Sequence, residues 1–176
     1  MKTFHVTDLR FWRKWEVLFD NISFSVNAWN TIGILGENWV GKSTLLSLFA
    51  WKLQPDNWGF TSSIASYLHQ FLDNQDDITV LEFLAKNCPT KEEREIFTLL
   101  DQHWLADYAY TNCKNISWGE MQLIRFLRVL LDDADIWLLD EPTNHLDTFK
   151  KSILAKHINA YPWICFLISH DRSFLD

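Results

Sequence analysis

The stretch Gly36–Leu46, GENWVGKSTLL, lies between a short apolar run, TIGIL, and a leucine-rich segment with helical spacing. This order predicts a buried strand, a glycine loop and a helix, which is the context that a phosphate-binding loop of the pattern Gly-x-x-x-x-Gly-Lys-Ser requires. Backbone N–H groups of the loop and of the helix N-terminus would then face phosphate. Lys42 would neutralise phosphate charge, and the Ser43 hydroxyl could ligate Mg²⁺.

The composition is that of an ordinary globular protein. The 176 residues suffice for one domain with a core, and 48% of them are hydrophobic and 22% charged. Because apolar runs stay well short of the ~20 residues of a membrane span, we expect no membrane insertion. The N-terminal residues lack the apolar core of a secretion signal. The net charge of −7 argues against a broad basic face for nucleic acid.

The three cysteines are far apart in the chain. Three is an odd number, and the spacing is not that of a disulfide framework or a zinc site. We therefore expect reduced, buried thiols in a cytoplasmic protein.

Apolar runs alternate with helical patterns along the second half of the chain. The runs Asp135–Glu141 (DIWLLDE) and Ile164–His170 (ICFLISH) predict buried strands. Thr79–Leu105 predicts helices interrupted at Pro89, and Thr148–Tyr161 predicts an amphipathic helix. This alternation predicts an α/β fold with a largely parallel sheet.

Shorter signals complete the expected secondary structure. Ser117–Asp133 predicts a helix that Ser117 begins, since Glu120 stands three residues later as in a capping box. Glu16–Val26 predicts strands with a turn at Asp20-Asn21. Gln54–Phe60 predicts a turn, and Ser63–Phe71 a strand.

Polar side chains end the predicted strands, where ligands bind in parallel sheets. Asp140 and Glu141 follow one strand, and His170 ends the next. An aspartate at such a place can hold Mg²⁺, and a neighbouring glutamate can orient or deprotonate an attacking water. His170 could bond the γ-phosphate or that water.

Together these motifs resemble those of the ATP-binding-cassette (ABC) ATPases, most closely the ABC-F family. DEPTNHLD (Asp140–Asp147) is similar to the Walker B carboxylates joined to the D-loop, and SWGEMQ (Ser117–Gln122) to the ABC signature. SHDRSFLD (Ser169–Asp176) resembles the switch-histidine segment and SYLHQ (Ser66–Gln70) the Q-loop. Phe11 is the best candidate for the aromatic residue that stacks on adenine.

The resemblance implies a P-loop NTPase fold with a mainly parallel central sheet, flanking helices and an N-terminal antiparallel β part. It implies a single domain over residues 1–176, incomplete at the C-terminus, with a helical subdomain at approximately residues 72–116. We expect this chain to be a fragment, or one half, of a longer gene product.

The resemblance also implies ATP and Mg²⁺ as cofactors and assigns roles to residues. Glu141 and His170 are the expected catalytic residues. The expected metal-binding residues are Ser43, Gln70 and Asp140. The expected nucleotide-binding residues are Phe11, Gly36, Glu37, Asn38, Trp39, Val40, Gly41, Lys42, Ser43, Thr44 and Gln70.

In this family two cassettes hold ATP between them. The signature residues Ser117, Trp118, Gly119 and Glu120 would therefore meet the nucleotide of a partner cassette, and Asp147 would lie in the D-loop. The position of Ser117 at a helix N-terminus makes physical sense of that role, because the helix dipole favours an anion. ABC-F proteins act on ribosomes, which makes the ribosome the expected partner.

Tryptophan stands where the family has glycine. The chain has 10 Trp and 5 Gly, whereas an average composition would give about 12 Gly. Trp39 in the phosphate loop, Trp118 in the signature and Trp29 before the loop strand occupy family glycine positions. Further tryptophans at turns or helix ends, where glycine is expected on physical grounds, are Trp51, Trp58 and Trp163. Less diagnostic ones are Trp12, Trp15 and Trp104, and Trp137 suits a buried strand.

We hypothesise a codon-reading artefact. UGA is read as tryptophan in some genetic codes and as glycine in at least one, so a gene that uses the second code, translated with the first, would give this pattern. A real indole in the phosphate loop would obstruct the ligand and strain the backbone. If the tryptophans are genuine, the chain is instead a catalytically impaired cassette that serves as a binding module. A third reading is the ATPase subunit of a membrane transporter, against which TNHLD argues.

Overall fold

The computed structural model describes residues 2–60, 64–69, 77–171 and 174, without the side chains of residues 58–60. The strands are β1 (Thr3–Arg13), β2 (Glu16–Asn27), β3 (Asn30–Ile34), β4 (Asn57–Phe60), β5 (Ala65–Leu68), β6 (Ile136–Asp140) and β7 (Ile164–Ile168). The α-helices are α1 (Lys42–Phe49), α2 (Val80–Asn87), α3 (Glu93–Gln102), α4 (Trp118–Leu131) and α5 (Thr148–Ala160). Short 3₁₀ turns cover Ala106–Tyr108 and Cys113–Asn115.

The N-terminal part is an antiparallel sheet in the order β2-β1-β4. The turn predicted at Asp20-Asn21 is wrong, because β2 continues through these residues and the hairpin turns at Lys14 and Trp15 instead. Asn21 has φ 55° within the strand, beside an irregularity in the β1–β2 register. Asparagine tolerates the left-handed region in a bulge as well as in a turn, so the local signal was ambiguous.

Two further predicted segments differ from the structure in their bounds. The turn predicted over Gln54–Phe60 holds only in its first part, since Asn57–Phe60 pairs with β1 as β4. Of the strand predicted over Ser63–Phe71, Ala65–Leu68 forms a strand, and Ser63, Gln70 and Phe71 lie outside the described residues. In both cases pairing with a neighbouring strand, which no local pattern encodes, decides where the strand begins and ends.

The central sheet is parallel, as the sequence predicted, and its strand order is β3-β7-β6-β5. Every residue of β6 and β7 is buried, and their side chains alternate between two cores. Ile136, Leu138 and Phe166 face the core shared with α1 and the antiparallel sheet. Trp137 and Leu139 face the core shared with α4 and α5. Helices and sheet thus cover both faces, and the strand ends remain open at one edge.

The helices α2 and α3 lie beside α4 and bury Leu84, Ile96 and Leu100 against it. The break predicted at Pro89 is confirmed, because α2 ends at the cap residue Cys88. The predicted boundary of a helical subdomain at residues 72–116 stays a prediction, and its first residues lie outside the described ranges. Within those ranges, no helix combines the length and the apolar character needed to cross a membrane.

Candidate functional site

The loop between β3 and α1 has the geometry of an anion cradle. Gly41 caps α1 with φ 101° and no side-chain hydrogen bond, so the cap leaves the N–H groups of the first turn open to an anion. A Cβ on Gly41 would lie 2.9 Å from Leu18 Cδ2, which explains why the loop needs glycine there. Gly36, at φ 154°, begins the same loop. Residues 36–40 are exposed, as a ligand-binding loop requires.

The ammonium group of Lys42 closes this loop. Its Nζ donates to the carbonyl oxygens of Gly36 at 2.7 Å and of Glu37 at 2.8 Å. The positive charge therefore lies at the concave side of the loop, next to the exposed Ser43 at the start of α1. This placement suits the neutralisation of phosphate oxygens.

Asp140, at the end of β6, is brought to the same place. Its carboxylate is 2% exposed, and burial raises its pKa while the Ser43 hydroxyl, Tyr67 and Lys42 oppose that rise. Tyr67 Oη donates to Asp140 Oδ2 at 3.3 Å. Oδ1 is buried without a hydrogen-bond partner among the described residues. A buried carboxylate oxygen beside a serine hydroxyl fits Mg²⁺ or its bound water.

Glu141 adjoins Asp140 and faces the switch-histidine position. His170 N–H donates to Glu141 Oε2 at 3.3 Å, and His170 Nε2 lies 3.4 Å from Oε1. Oε1 is itself buried and lacks hydrogen-bond geometry with any described group. Burial is the largest influence on the Glu141 carboxyl and raises its pKa, against the opposing effect of His170. A carboxyl group with a raised pKa beside a histidine is suited to accept a proton.

The structure includes contacts at this edge that the sequence motifs did not predict. Tyr67 donates a hydrogen bond to Asp140, although the glutamine was the one residue of SYLHQ that was predicted to have a role. Thr143 Oγ1 lies 3.2 Å from Ser169 Oγ, which joins the segment after β6 to the end of β7. Gln122 of α4 reaches the carbonyl oxygen of Pro142 at 3.3 Å. These contacts depend on tertiary packing, so spacing in the sequence gave no signal for them.

The signature residues begin α4 as predicted. Ser117 and Glu120 form a capping box, and Tyr108 Oη donates to Glu120 Oε1 at 2.8 Å. The Ser117 hydroxyl is the main reason why the pKa of Glu120 is lowered. Asp147 caps α5, accepting from Lys150 N–H at 2.8 Å. Both segments therefore have a structural role, and their contact with a partner's nucleotide stays a prediction.

One predicted residue, Phe11, is not brought into this constellation. Phe11 is half-buried on β1, paired with Phe19 and packed on the core beneath the antiparallel sheet. Leu18, on the neighbouring strand, is the apolar residue next to Gly41. Gln70 lies outside the described residues. The adenine contact of Phe11 and the metal contact of Gln70 therefore stay predictions.

Four tryptophans adopt the left-handed backbone conformation that favours glycine. They are Trp29 (φ 68°), Trp39 (φ 71°), Trp51 (φ 57°) and Trp104 (φ 58°). A bulky side chain in this region is a steric outlier. All four side chains are exposed, by 94% in the case of Trp39. Trp137, in contrast, is 5% exposed and stacks on Tyr161 at 3.7 Å, as a genuine core residue would.

Trp51 and Trp104 each stand directly after the cap of a helix, in the Schellman motif where glycine is usual. After α1, Trp51 N–H donates to Leu48 O at 3.0 Å and the next N–H donates to Ser47 O at 2.9 Å. After α3, Trp104 N–H donates to Asp101 O at 3.1 Å and the next N–H donates to Leu100 O at 2.8 Å. Trp104, less diagnostic in the sequence, is thus as clear a glycine position as Trp51.

Comparison with known proteins gives a consistent result. A family model described as "ABC transporter" matches residues 19–144, more than two thirds of the chain. Among curated proteins, the Bacillus subtilis "Ribosome protection protein VmlR" is 31% identical over 97% of this chain. The Haemophilus influenzae "Energy-dependent translational throttle protein EttA" is 31% identical over 92% of it. The chain spans 29% of the length of the first and 31% of the second.

The solved structures give the same fold. A structure titled "Crystal structure of a nucleotide-free ATP-binding cassette from an ABC transporter" superposes with a TM-score of 0.84. It covers 99% of this chain and 84% of its own, at 18% identity. The α/β cassette fold is therefore confirmed.

Proposed function

The chain belongs to the ABC transporter family of ATP-binding domains, and on this premise we propose that it is an ATP-hydrolysing cassette of the ABC-F type that acts on the ribosome. Cassettes of this family are ATPases that work as dimers or as paired domains. The observation that supports hydrolysis is the meeting of Lys42, Ser43, Asp140, Glu141 and His170 at one open edge of the parallel sheet.

Each of these groups has a defined part in the proposal. The loop N–H groups and Lys42 would bind the phosphates, while Ser43 and Asp140 would hold Mg²⁺. Mg²⁺, when bound with ATP, neutralises charge on the phosphates. Glu141 orients the attacking water and accepts its proton. His170, next to Glu141 Oε1, fixes the orientation of that carboxylate.

The ribosome as partner is supported by the names of the relatives. One is a "Ribosome protection protein" and another a "translational throttle protein", each about three times as long as this chain. We propose that a second cassette completes the ATP site, with Ser117 and Gly119 meeting its nucleotide. A cytoplasmic location is supported by the three reduced, buried cysteines.

An impaired cassette that only binds a partner is the second candidate function. It is favoured by the 94% exposed indole of Trp39, which lies in the loop that must wrap phosphate. A comparison of ATP affinity between the chain as written and a variant with Trp39→Gly and Trp118→Gly distinguishes the two functions. If only the variant binds ATP, native glycines and a working nucleotide site are supported; if neither form binds ATP, the proposal of an ATP-hydrolysing cassette weakens and the impaired cassette is supported.

The ATPase subunit of a membrane transporter is the third candidate, favoured by the family model that matches residues 19–144, which is described as "ABC transporter". The full-length protein should be tested for ATP hydrolysis and for co-sedimentation with ribosomes. We expect Glu141→Gln to abolish hydrolysis and to retain ATP binding. Co-purification with a membrane protein, without ribosome binding, would refute the ABC-F proposal and support the transporter.

A further inference from the structure

Gln122 is a buried polar residue on α4 with no place in the mechanism so far. Its side chain is 6% exposed. Its Nε2 donates to the carbonyl oxygen of Pro142 at 3.3 Å and lies 3.5 Å from the carbonyl oxygen of Glu141. A buried amide needs such partners, and these partners belong to the segment that carries the catalytic carboxylate.

The backbone of Glu141 needs support to keep its shape. Its φ of 51° lies in the left-handed region, which a glutamate occupies only when the surroundings hold it there. On one side its N–H donates to Ile168 O at 2.9 Å. On the other, its carbonyl oxygen accepts from Asn144 N–H at 3.2 Å and lies near Gln122 Nε2. The conformation that aims the carboxylate is therefore held by β7, by its own loop and by α4.

The start of α4 is packed directly on the same segment. A Cβ on Gly119 would lie 2.6 Å from His145 O, so the helix and the segment touch through backbone atoms. A shift of the first turn of α4 must therefore move residues 141–147 as well, since no gap is left to absorb it.

We propose that Gln122 is a positioning residue that couples the signature helix to Glu141 within one cassette. This inference rests on the proposed function, in which the first turn of α4 meets the nucleotide of the partner cassette. Glu141 acts on the nucleotide of its own cassette. Gln122 lies on α4, five residues after Ser117, and donates to the backbone next to Glu141. Occupancy of one nucleotide site is thereby transmitted to the catalytic carboxylate of the other.

The test uses the full-length protein with Gln122→Leu, which keeps the size of the side chain and removes its donor. We expect kcat for ATP hydrolysis to fall about tenfold, because Glu141 is less well aimed, while KM stays within about twofold. Gln122→His retains an N–H donor and should recover most of the rate. The matched control is Gln102→Leu, the same change on the exposed end of α3, which should leave the rate unchanged.

A readout without turnover distinguishes this inference from the proposed function. In Gln122→Leu, hydrogen exchange should become faster at the amides of Glu141 and Asn144 and stay unchanged in α5. The inference is overturned if exchange there is unchanged, or if Gln122→Leu hydrolyses ATP at the unmodified rate. It is also overturned if the thermal stability of Gln122→Leu falls so far that a smaller folded fraction accounts for the lower kcat. If the unmodified protein does not hydrolyse ATP, the proposed function fails, and so does the role of Gln122 in catalysis. Faster exchange at Glu141 and Asn144 in Gln122→Leu would then still show that Gln122 holds the backbone of this segment.

Discussion

Replacing Trp39 by glycine should stabilise the chain, although it removes the largest side chain of the phosphate loop. The backbone at this position has φ 71°, and the indole is 94% exposed. A strained left-handed non-glycine residue costs about 1–3 kcal/mol. Because the side chain is exposed, little packing is lost with it.

The opposing effect is the greater freedom of glycine in the unfolded chain, about 0.4–1 kcal/mol. The net gain should then be about 1 kcal/mol, which corresponds to about 2–4 °C in Tm for a domain of this size. Thermal and urea unfolding, followed by circular dichroism, measure it.

Trp15 offers a matched control, because it is 96% exposed but lies outside the left-handed region. Trp15→Gly should cost about 0.4–1 kcal/mol, because the greater freedom of glycine in the unfolded chain is not offset by relief of backbone strain. If Trp39→Gly is no more stable than Trp15→Gly, the left-handed backbone at Trp39 carries no measurable strain, and the case for a native glycine at this position weakens.

Three other predictions concern the gene, the signature helix and a half-buried histidine. Sequencing should show UGA at Trp118 and at the four left-handed tryptophans, and UGG at Trp137; UGG at Trp39 and Trp118 would contradict the codon hypothesis. Gly119→Ala should cost about 1–3 kcal/mol in urea unfolding, since its Cβ would lie 2.6 Å from His145 O; an unchanged midpoint would show that α4 can shift freely. Burial lowers the pKa of His157 in the folded chain below its value in the unfolded chain. The unfolded chain therefore binds a proton more readily, and the free energy of unfolding should fall as pH drops below about 6.5. His157→Phe should flatten that dependence in melts from pH 5 to 8, and an unaltered slope would assign it to other groups.

The parts of the site that a short stretch of chain encodes were predictable from the sequence. The positions of the loop before α1 and of Asp140 and Glu141 at the end of β6 were predictable because glycine spacing and polar residues after apolar runs are local patterns, and their roles toward nucleotide stay predictions. The capping box at Ser117 was found for the same reason, and the structure places it where predicted.

What the sequence did not yield depends on contacts between distant segments. Gln122 and Tyr67 act through hydrogen bonds to residues far along the chain, and their own neighbours carry no sign of this. Asn21 was misread because its left-handed backbone serves a bulge within β2. Trp104 was undervalued because a Schellman motif is recognised only once the end of α3 is known.

The central claim is that ATP binds at the loop around Lys42, and calorimetric titration of Mg-ATP tests it most directly. The chain with Trp39→Gly should show saturable binding with a stoichiometry near one. Adding Lys42→Ala should weaken that binding about tenfold or more, because a charge-assisted contact to phosphate is lost. Equal affinity in the two variants, or no saturable binding in the first, would contradict the account.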